Sequence, residues 1–128
     1  MKESATASHI RLAAARLGLD LWRNNVGSFP DQKGRWVRFG LCNESKAVSD
    51  RVKSSDLIGI TQVVITPDMV GQTIGVFTAI ETKKSDWHMT PGDKRVTAQA
   101  AFHDIVKRAG GYAGFARTIE EFKRIIGK

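Results

Sequence analysis

Cysteine is almost absent from this chain of 128 residues, because Cys42 is the only one. A single cysteine excludes an internal disulfide, and it also excludes a metal cage built from several thiolates. The three histidines offer no alternative cage, since they are not spaced as metal ligands usually are. The scarcity of cysteine fits a reducing, cytosolic compartment.

Long apolar stretches are also missing from the sequence. No run of 18 apolar residues occurs, so the sequence predicts no membrane span. The segment Met1–Ser4 lacks the apolar character of a secretory signal. We therefore expect a cytoplasmic protein with no membrane partner.

Positive charge, by contrast, is in clear excess. The chain has 20 lysines and arginines against 13 acidic residues, which gives a formal net charge of +7. A surplus of this size favours a polyanionic partner, and nucleic acid is the first candidate. It does not distinguish DNA from RNA, or binding from cleavage. Hydrophobic residues make up 41% of the chain, so we expect one globular domain over residues 1–128.

Hydrophobic periodicity predicts a mixed α/β protein. The predicted helices cover residues 4–17, 98–109 after a Thr97 cap, and 119–126 after a capping box of Thr118 and Glu121. The predicted strands cover residues 21–23, 35–39, 56–65, 74–83 and 112–116, with polar loops at 44–54 and 84–94. This order, α-β-β-β-β-α-β-α, indicates a mixed central sheet flanked by helices.

Two charged residues end the strongest predicted strand. Glu81 and Lys83 are two residues apart, so in a strand both side chains point to the same face. Charges at the end of a buried strand are costly unless they are paired or bind a ligand. A Glu-x-Lys tripeptide by itself is most simply read as a surface salt bridge.

An acidic residue earlier in the chain indicates that this pair could belong to a metal site. Asp56 opens an apolar segment 25 residues before Glu81, which allows the two carboxylates to converge from adjacent strands. Two carboxylates can hold one hard divalent cation, and phosphodiester hydrolysis needs such an ion. A neighbouring lysine such as Lys83 can orient the attacking water or stabilise developing negative charge.

Five stretches of the sequence form a series with these residues at its centre. They are Gly40–Asn43, Ser55–Gly59, Ala79–Lys83, Arg95–Phe102 and Ala109–Ala113. Together they resemble the VRR-NUC family, the virus-type replication and repair nucleases of the PD-(D/E)xK superfamily. The resemblance covers nearly the whole chain. It implies a restriction-endonuclease-like core and a stand-alone, phage-type DNA repair enzyme in a bacterial or phage-infected cell.

The resemblance also implies the composition of a metal centre that holds Mg²⁺ or Mn²⁺. Asp56 and Glu81 would be metal ligands, and the main-chain carbonyl of Thr82 would be a further ligand. Glu3, on the first helix, would complete the catalytic and metal-binding set. Lys83 would be the catalytic lysine.

Other side chains near this centre are candidates for catalysis or for DNA binding. Gln99, at the start of the long helix, matches the active-site glutamine of the family. The residues expected to contact DNA are Lys84, Trp87, Lys94 and Arg95. Trp22 and Trp36 are expected to pack in the core, and His103 to be solvated or half-buried.

The predicted function is a metal-dependent, structure-selective DNA endonuclease. Two alternatives stay open: a basic DNA-binding module without catalysis, and a restriction-type endonuclease on the same fold. Several stand-alone members of this fold act on branched DNA as homodimers. The resemblance therefore implies a homodimer that cuts four-way (Holliday) junctions, since two symmetric nicks require two sites related by a two-fold axis.

Overall fold

A computed structural model describes residues 2–128, with the side chain of Glu3 excepted. It is a mixed α/β structure with four α-helices, which confirms the predicted class. The helices are α1 (Glu3–Arg16), α2 (Lys46–Arg51), α3 (Lys94–Arg108) and α4 (Ile119–Ile126). The strands are β1 (Asp20–Arg23), β2 (Gly27–Pro30), β3 (Trp36–Phe39), β4 (Leu57–Ile60), β5 (Thr78–Thr82) and β6 (Tyr112–Ala116). None of the described helices combines the length and apolar character that crossing a membrane requires.

The chain divides into two compact units, residues 1–59 and 60–128, and each unit is described by itself. Over residues 2–128 the strands form three two-stranded sheets instead of the single central sheet that the sequence suggested. In these sheets β1 pairs with β4, β2 with β3, and β5 with β6.

An antiparallel hairpin of β2 and β3 is the most regular part of the first unit. Its register pairs Gly27 with Phe39 and Pro30 with Trp36. The buried side chain of Asn43 holds the open end of the hairpin, because its Nδ2 donates to the carbonyls of Gly27 (2.7 Å) and Phe39 (2.9 Å). Its Oδ1 accepts a hydrogen bond from Arg38 at 3.1 Å. One buried amide therefore joins both strands to the loop that follows them.

The second unit is built around the parallel pair β5 and β6. The register places Ile80 beside Gly114 and Glu81 beside Phe115. A β-carbon at residue 114 would lie 2.9 Å from Ile125 Cδ1, so α4 covers the Ile80 side of the pair closely. Helix α3 contributes the fully buried Val106 and covers the opposite side.

A short helix forms where the sequence predicted a polar loop over residues 44–54. Ser45 caps α2 by accepting the N–H of Val48 at 3.2 Å, and Lys46 pairs with Asp50 at 2.7 Å one turn later. None of the residues of α2 is buried. Because α2 is stabilised by polar contacts, it has no apolar face, and hydrophobic periodicity therefore did not predict it.

The predicted strands 56–65 and 74–83 are both shortened in the structure. Only Leu57–Ile60 and Thr78–Thr82 are strands, and residues 61–77 are irregular apart from the short 3-10 helix Pro67–Met69. The β-branched residues of this segment favour a strand only where a partner strand completes the hydrogen bonds. Pro67 lacks an N–H, and Gly71 turns the chain at a φ of 88°.

Side-chain caps set the starts of α3 and α4, and the cap of α3 differs from expectation. Asp93 caps α3 by accepting the N–H of Val96 at 3.1 Å, so the helix begins at Lys94 and Thr97 lies inside it. Thr118 caps α4 by accepting the N–H of Glu121 at 3.1 Å, as predicted. The earlier start of α3 brings two basic residues, Lys94 and Arg95, into its first turn.

We predict that Asn43→Ala destabilises the protein by about 1–3 kcal/mol, because it leaves two carbonyl groups of the hairpin without their buried donor. The free energy of unfolding from urea titration measures this loss. Asn25→Ala, at an exposed position two residues before the hairpin, is the control and should change stability little. Equal stability of the two variants would contradict the role assigned to Asn43.

Candidate active site

The side chains of Glu81 and Lys83 lie on the face of β5 that α3 covers. Glu81 is paired in register with Phe115, and Phe115 contacts His103 of α3 edge-on, with ring centroids 4.7 Å apart. The N–H of Lys83 donates to the carbonyl of Ala116 at 3.0 Å, so the strand pairing extends one residue beyond β5. Alternation then directs residues 81 and 83 to the same side.

The ammonium group of Lys83 is held by three neighbouring side chains. Its Nζ donates to Oε1 of Gln99 at 3.0 Å. It also lies 5.3 Å from the ring centroid of Trp87 and 5.5 Å from that of Phe115, within the range of cation–π attraction. These contacts fix the position of a flexible side chain that could otherwise adopt many conformations.

A cleft of about 340 Å³ opens beside Glu81, between the end of β5 and the first turns of α3. The side chain of Glu81 is half-buried there, and Arg95 and Gln99 line the same cleft. Among the described residues, Glu81 forms no ion pair within 4 Å, so its carboxylate oxygens are available to a ligand. The structure thus brings Glu81, Lys83 and Gln99 together near the end of β5.

His103 lies deeper under the same cleft and is buried, contrary to the expectation of a solvated or half-buried side chain. Its position follows from the phase of α3, because residues 96, 99, 103 and 106 are spaced by three and four and face the strands. Burial lowers the pKa of His103 below its usual value, although the nearby carboxylate of Glu81 acts in the opposite direction. Burial therefore favours the neutral form of the imidazole.

The loop from residue 84 to residue 93 is anchored through Trp87. The indole packs against Phe115 with ring centroids 5.1 Å apart, and the main-chain carbonyl of Trp87 accepts a hydrogen bond from Arg117 at 3.1 Å. Arg117 is itself bound by Glu121 at 2.7 Å, an interaction that lowers the pKa of that carboxyl group below its usual value. The basic residues beside the cleft, namely Lys84, Lys94 and Arg95, are exposed.

Asp56 lies in the first unit and is exposed at the start of β4. The N–H of Asn24 donates to its carbonyl at 2.8 Å, and the side chain of Asn24 binds Ser54 and Ser55 at 2.8 and 2.9 Å. A β-carbon at Gly59 would collide with the carbonyl oxygen of Asp20, so β4 can lie against β1 only because residue 59 is glycine.

A cleft of about 490 Å³ borders Asp56 within the first unit. Its walls come from the first turns of α1, including Arg11, and from the end of β1 at Arg23 and Asn24. Glu3, the expected acid of the first helix, lies in α1, but its side chain is outside the part of the chain that the structure describes.

The donor set of the predicted metal centre is divided between the two units. Asp56 belongs to the first unit, whereas Glu81 and the carbonyl of Thr82 belong to the second. Within the described residues no group of three His, Cys, Asp or Glu side chains is assembled. Carboxylate and carbonyl oxygens are nevertheless the donors that a small hard cation prefers, so the chemistry of the set fits Mg²⁺ or Mn²⁺.

Sequence reasoning missed two contributors to the surroundings of Lys83. Phe115 carries no chemical signal in the sequence, and only the parallel register places it beside Glu81. Arg117 follows β6 by one residue and reaches Trp87 thirty residues earlier in the chain. The spacing of Arg117 and Glu121, which matches a helical ion pair, was the one available hint.

Comparison of the chain with protein-family models, with curated proteins and with solved structures gave no match.

We predict that His103 makes stability depend on pH. A histidine whose pKa is lowered by folding binds a proton more readily when unfolded. The contribution of the neutral His103 to the free energy of unfolding is therefore fully present above about pH 6.5. It is lost as the pH drops toward the lower pKa of the folded state. Urea unfolding midpoints between pH 7.5 and pH 5 should show this loss in the wild type and a smaller one in His103→Gln.

The exposed His9 provides the matched control for this measurement. His9→Gln should keep the pH dependence of the wild type. An identical dependence in His103→Gln and wild type would show that the buried imidazole contributes nothing to it.

Proposed function

We propose that this chain is a metal-dependent DNA endonuclease with a restriction-endonuclease-like core of the PD-(D/E)xK type, similar to the VRR-NUC nucleases. The observation that carries the proposal is the grouping of Glu81, Lys83 and Gln99. An open carboxylate lines a cleft, and the lysine on the same face of the strand binds the helix glutamine at 3.0 Å. The sequence resemblance assigns catalytic roles to the same three residues.

In this proposal the oxygen ligands that the sequence resemblance implies would hold a Mg²⁺ or Mn²⁺ ion. The carboxylates of Asp56 and Glu81 would supply charge, the carbonyl of Thr82 would supply a neutral oxygen, and Glu3 would add a further carboxylate. When bound, the ion supplies Lewis-acid activation of a phosphodiester and of its attacking water. The remaining work of positioning and charge stabilisation belongs to the side chains of the protein.

Lys83 supplies a fixed positive charge next to this centre. Gln99 accepts one of its three hydrogen-bond donors, which leaves two for a phosphate oxygen or a water molecule. The rings of Trp87 and Phe115 attract the charged form of the amine. A cation held in place before the substrate arrives stabilises the pentavalent phosphorus transition state without reorganisation.

Basic residues around the cleft provide the contacts to the DNA backbone. Lys84, Lys94 and Arg95 are exposed, and the last two lie in the first turn of α3, whose free N–H groups also favour anions. Arg95 additionally lines the cleft beside Glu81. Trp87 remains a candidate DNA contact, because its indole is only half-buried against Phe115.

The proposed substrate is branched DNA, and the proposed active form is a homodimer. A two-fold pair of chains offers two active sites for symmetric nicks, and it doubles the net charge from +7 to +14. Phosphate backbones converge at a four-way junction, so a dimer of high positive charge suits this ligand.

We predict that Glu81→Gln and Asp56→Asn abolish cleavage of labelled junction DNA in Mg²⁺ and weaken Mn²⁺ binding. Each substitution removes a charged ligand and keeps the shape of the side chain. Lys83→Met should keep Mn²⁺ binding but lower the cleavage rate at least about 100-fold, the usual cost of one charge-stabilising group. Single-turnover cleavage and Mn²⁺ titration calorimetry measure the two effects.

Glu44→Gln, an exposed acid that the proposal gives no role, is the control and should resemble the wild type in both assays. Wild-type cleavage by Glu81→Gln would disprove the metal centre. Binding of junction DNA in EDTA with no nicking by the wild type in Mg²⁺ or Mn²⁺ would instead support the non-catalytic alternative.

We further predict paired nicks in four-way junctions by a dimer. Light scattering at micromolar concentration should give twice the chain mass of 14.1 kDa. A supercoiled plasmid with an extruded cruciform should become linear within one binding event, because both nicks are made before dissociation. A stable monomer that prefers single flaps would contradict the assembly and the substrate but leave the endonuclease chemistry intact.

A further inference from the structure

Trp36 in the β2–β3 hairpin is 71% exposed, although the sequence suggested that it packs in the core. Side chains alternate along β3, so Trp36 and Arg38 lie on one face of the hairpin together with Ser28 and Pro30 of β2. Phe29 and Phe39 lie on the opposite face, with ring centroids 5.9 Å apart. The large aromatic side chain of Trp36 is therefore presented to solvent beside Pro30 and the polar residues Ser28 and Arg38.

The hairpin holds Trp36 on a rigid support. At the tip, Oδ1 of Asp31 accepts the N–H groups of Lys33 (2.9 Å) and Arg35 (2.8 Å), and Oδ2 pairs with the guanidinium of Arg35 at 2.9 Å. At the open end, the buried Asn43 bonds to both strands. An aromatic ring on such a support loses little conformational freedom when a ligand stacks on it.

The charge around Trp36 is positive. The hairpin from Gly27 to Phe39 contains Lys33, Arg35 and Arg38 against the single acid Asp31, a formal charge of +2. All three basic residues are exposed. Arg38 shares the face of Trp36, whereas the guanidinium of Arg35 is paired with Asp31. An aromatic ring flanked by cations matches the two parts of a nucleotide, a flat base and a phosphate.

We propose that the Trp36 face of the hairpin binds unpaired bases of DNA, with the base stacked on the indole and the adjoining phosphates near Lys33 and Arg38. Bases inside a duplex are already stacked on their neighbours, so only splayed or looped bases offer a free face. A second copy of the chain is the less favoured occupant, because a two-fold contact would bring two faces of the same positive charge together.

This inference rests on DNA as the ligand proposed above, but not on hydrolysis. It assigns the first unit a contact that selects unpaired bases, in addition to the backbone contacts near Glu81. Binding measured in EDTA therefore tests it even if the chain proves unable to cleave DNA.

The experiment compares two labelled DNAs of equal length in EDTA, a blunt duplex and a splayed-arm DNA with oligothymidine arms. Trp36→Ala should weaken binding of the splayed arms about 10-fold, within the usual range for one base–aromatic stack, and weaken blunt duplex much less. Trp36→Phe should keep most of the affinity, because a phenyl ring also stacks. Trp22→Phe, at a half-buried tryptophan of β1, is the matched control and should bind as the wild type does.

A second measurement observes the contact directly. The indole N–H resonance of Trp36, assigned by its loss in Trp36→Phe, should shift on titration with oligothymidine, and that of Trp22 should not. Equal losses of Trp36→Ala on both DNAs, or an unshifted Trp36 resonance, would overturn the proposal. Conversion of a wild-type dimer to a monomer by Trp36→Ala would overturn it in favour of a second copy of the chain.

Discussion

The parallel register between β5 and β6 governs the chemistry available in the second unit. Because Glu81 is beside Phe115 and Ile80 is beside Gly114, one face of the pair carries charge and aromatic rings while the other packs against α4. A shift of one residue in either strand would exchange these faces and move the carboxylate under α4. Gln99 and His103 reach the correct face because α3 is phased to it by Val96 and Val106.

The surroundings of Lys83 show how a mostly apolar site can fix a charge. A carboxylate partner would hold the ammonium group more strongly, but it would also neutralise the charge of the group. Gln99 and two aromatic rings position the charge and leave it uncompensated. Arg117 extends this arrangement outward, since it links the main chain at Trp87 to Glu121 at the start of α4. Loop, strand and helix therefore contribute jointly to the position of one nitrogen atom.

Features that depend on local sequence patterns were predicted correctly. Predictions were wrong where a strand needed a partner strand or where packing determined whether a side chain is buried. The cap at Thr118, the strand at residues 112–116 and the shared face of Glu81 and Lys83 follow from local spacing. Residues 61–65 do not form the predicted strand, because β-branched residues favour a strand only where a neighbouring strand can complete its hydrogen bonds. Trp36 is exposed and His103 is buried, the opposite of what was expected for each. The type of a side chain gives only its average environment, whereas the direction in which it points from its strand or helix decides whether it is buried.

The close contact at Gly59 limits which residues relatives of this chain can carry at that position. The position is closed to any side chain by the backbone of Asp20, whereas Asp56, three residues earlier, is exposed to solvent. Under the proposed function, selection would act on these two residues for unrelated reasons, for steric fit at 59 and for metal binding at 56. A relative that kept the glycine and lost the acid would then have retained the scaffold without the proposed metal ligand. A relative that lost the glycine would have had to rebuild the contact of β4 with β1.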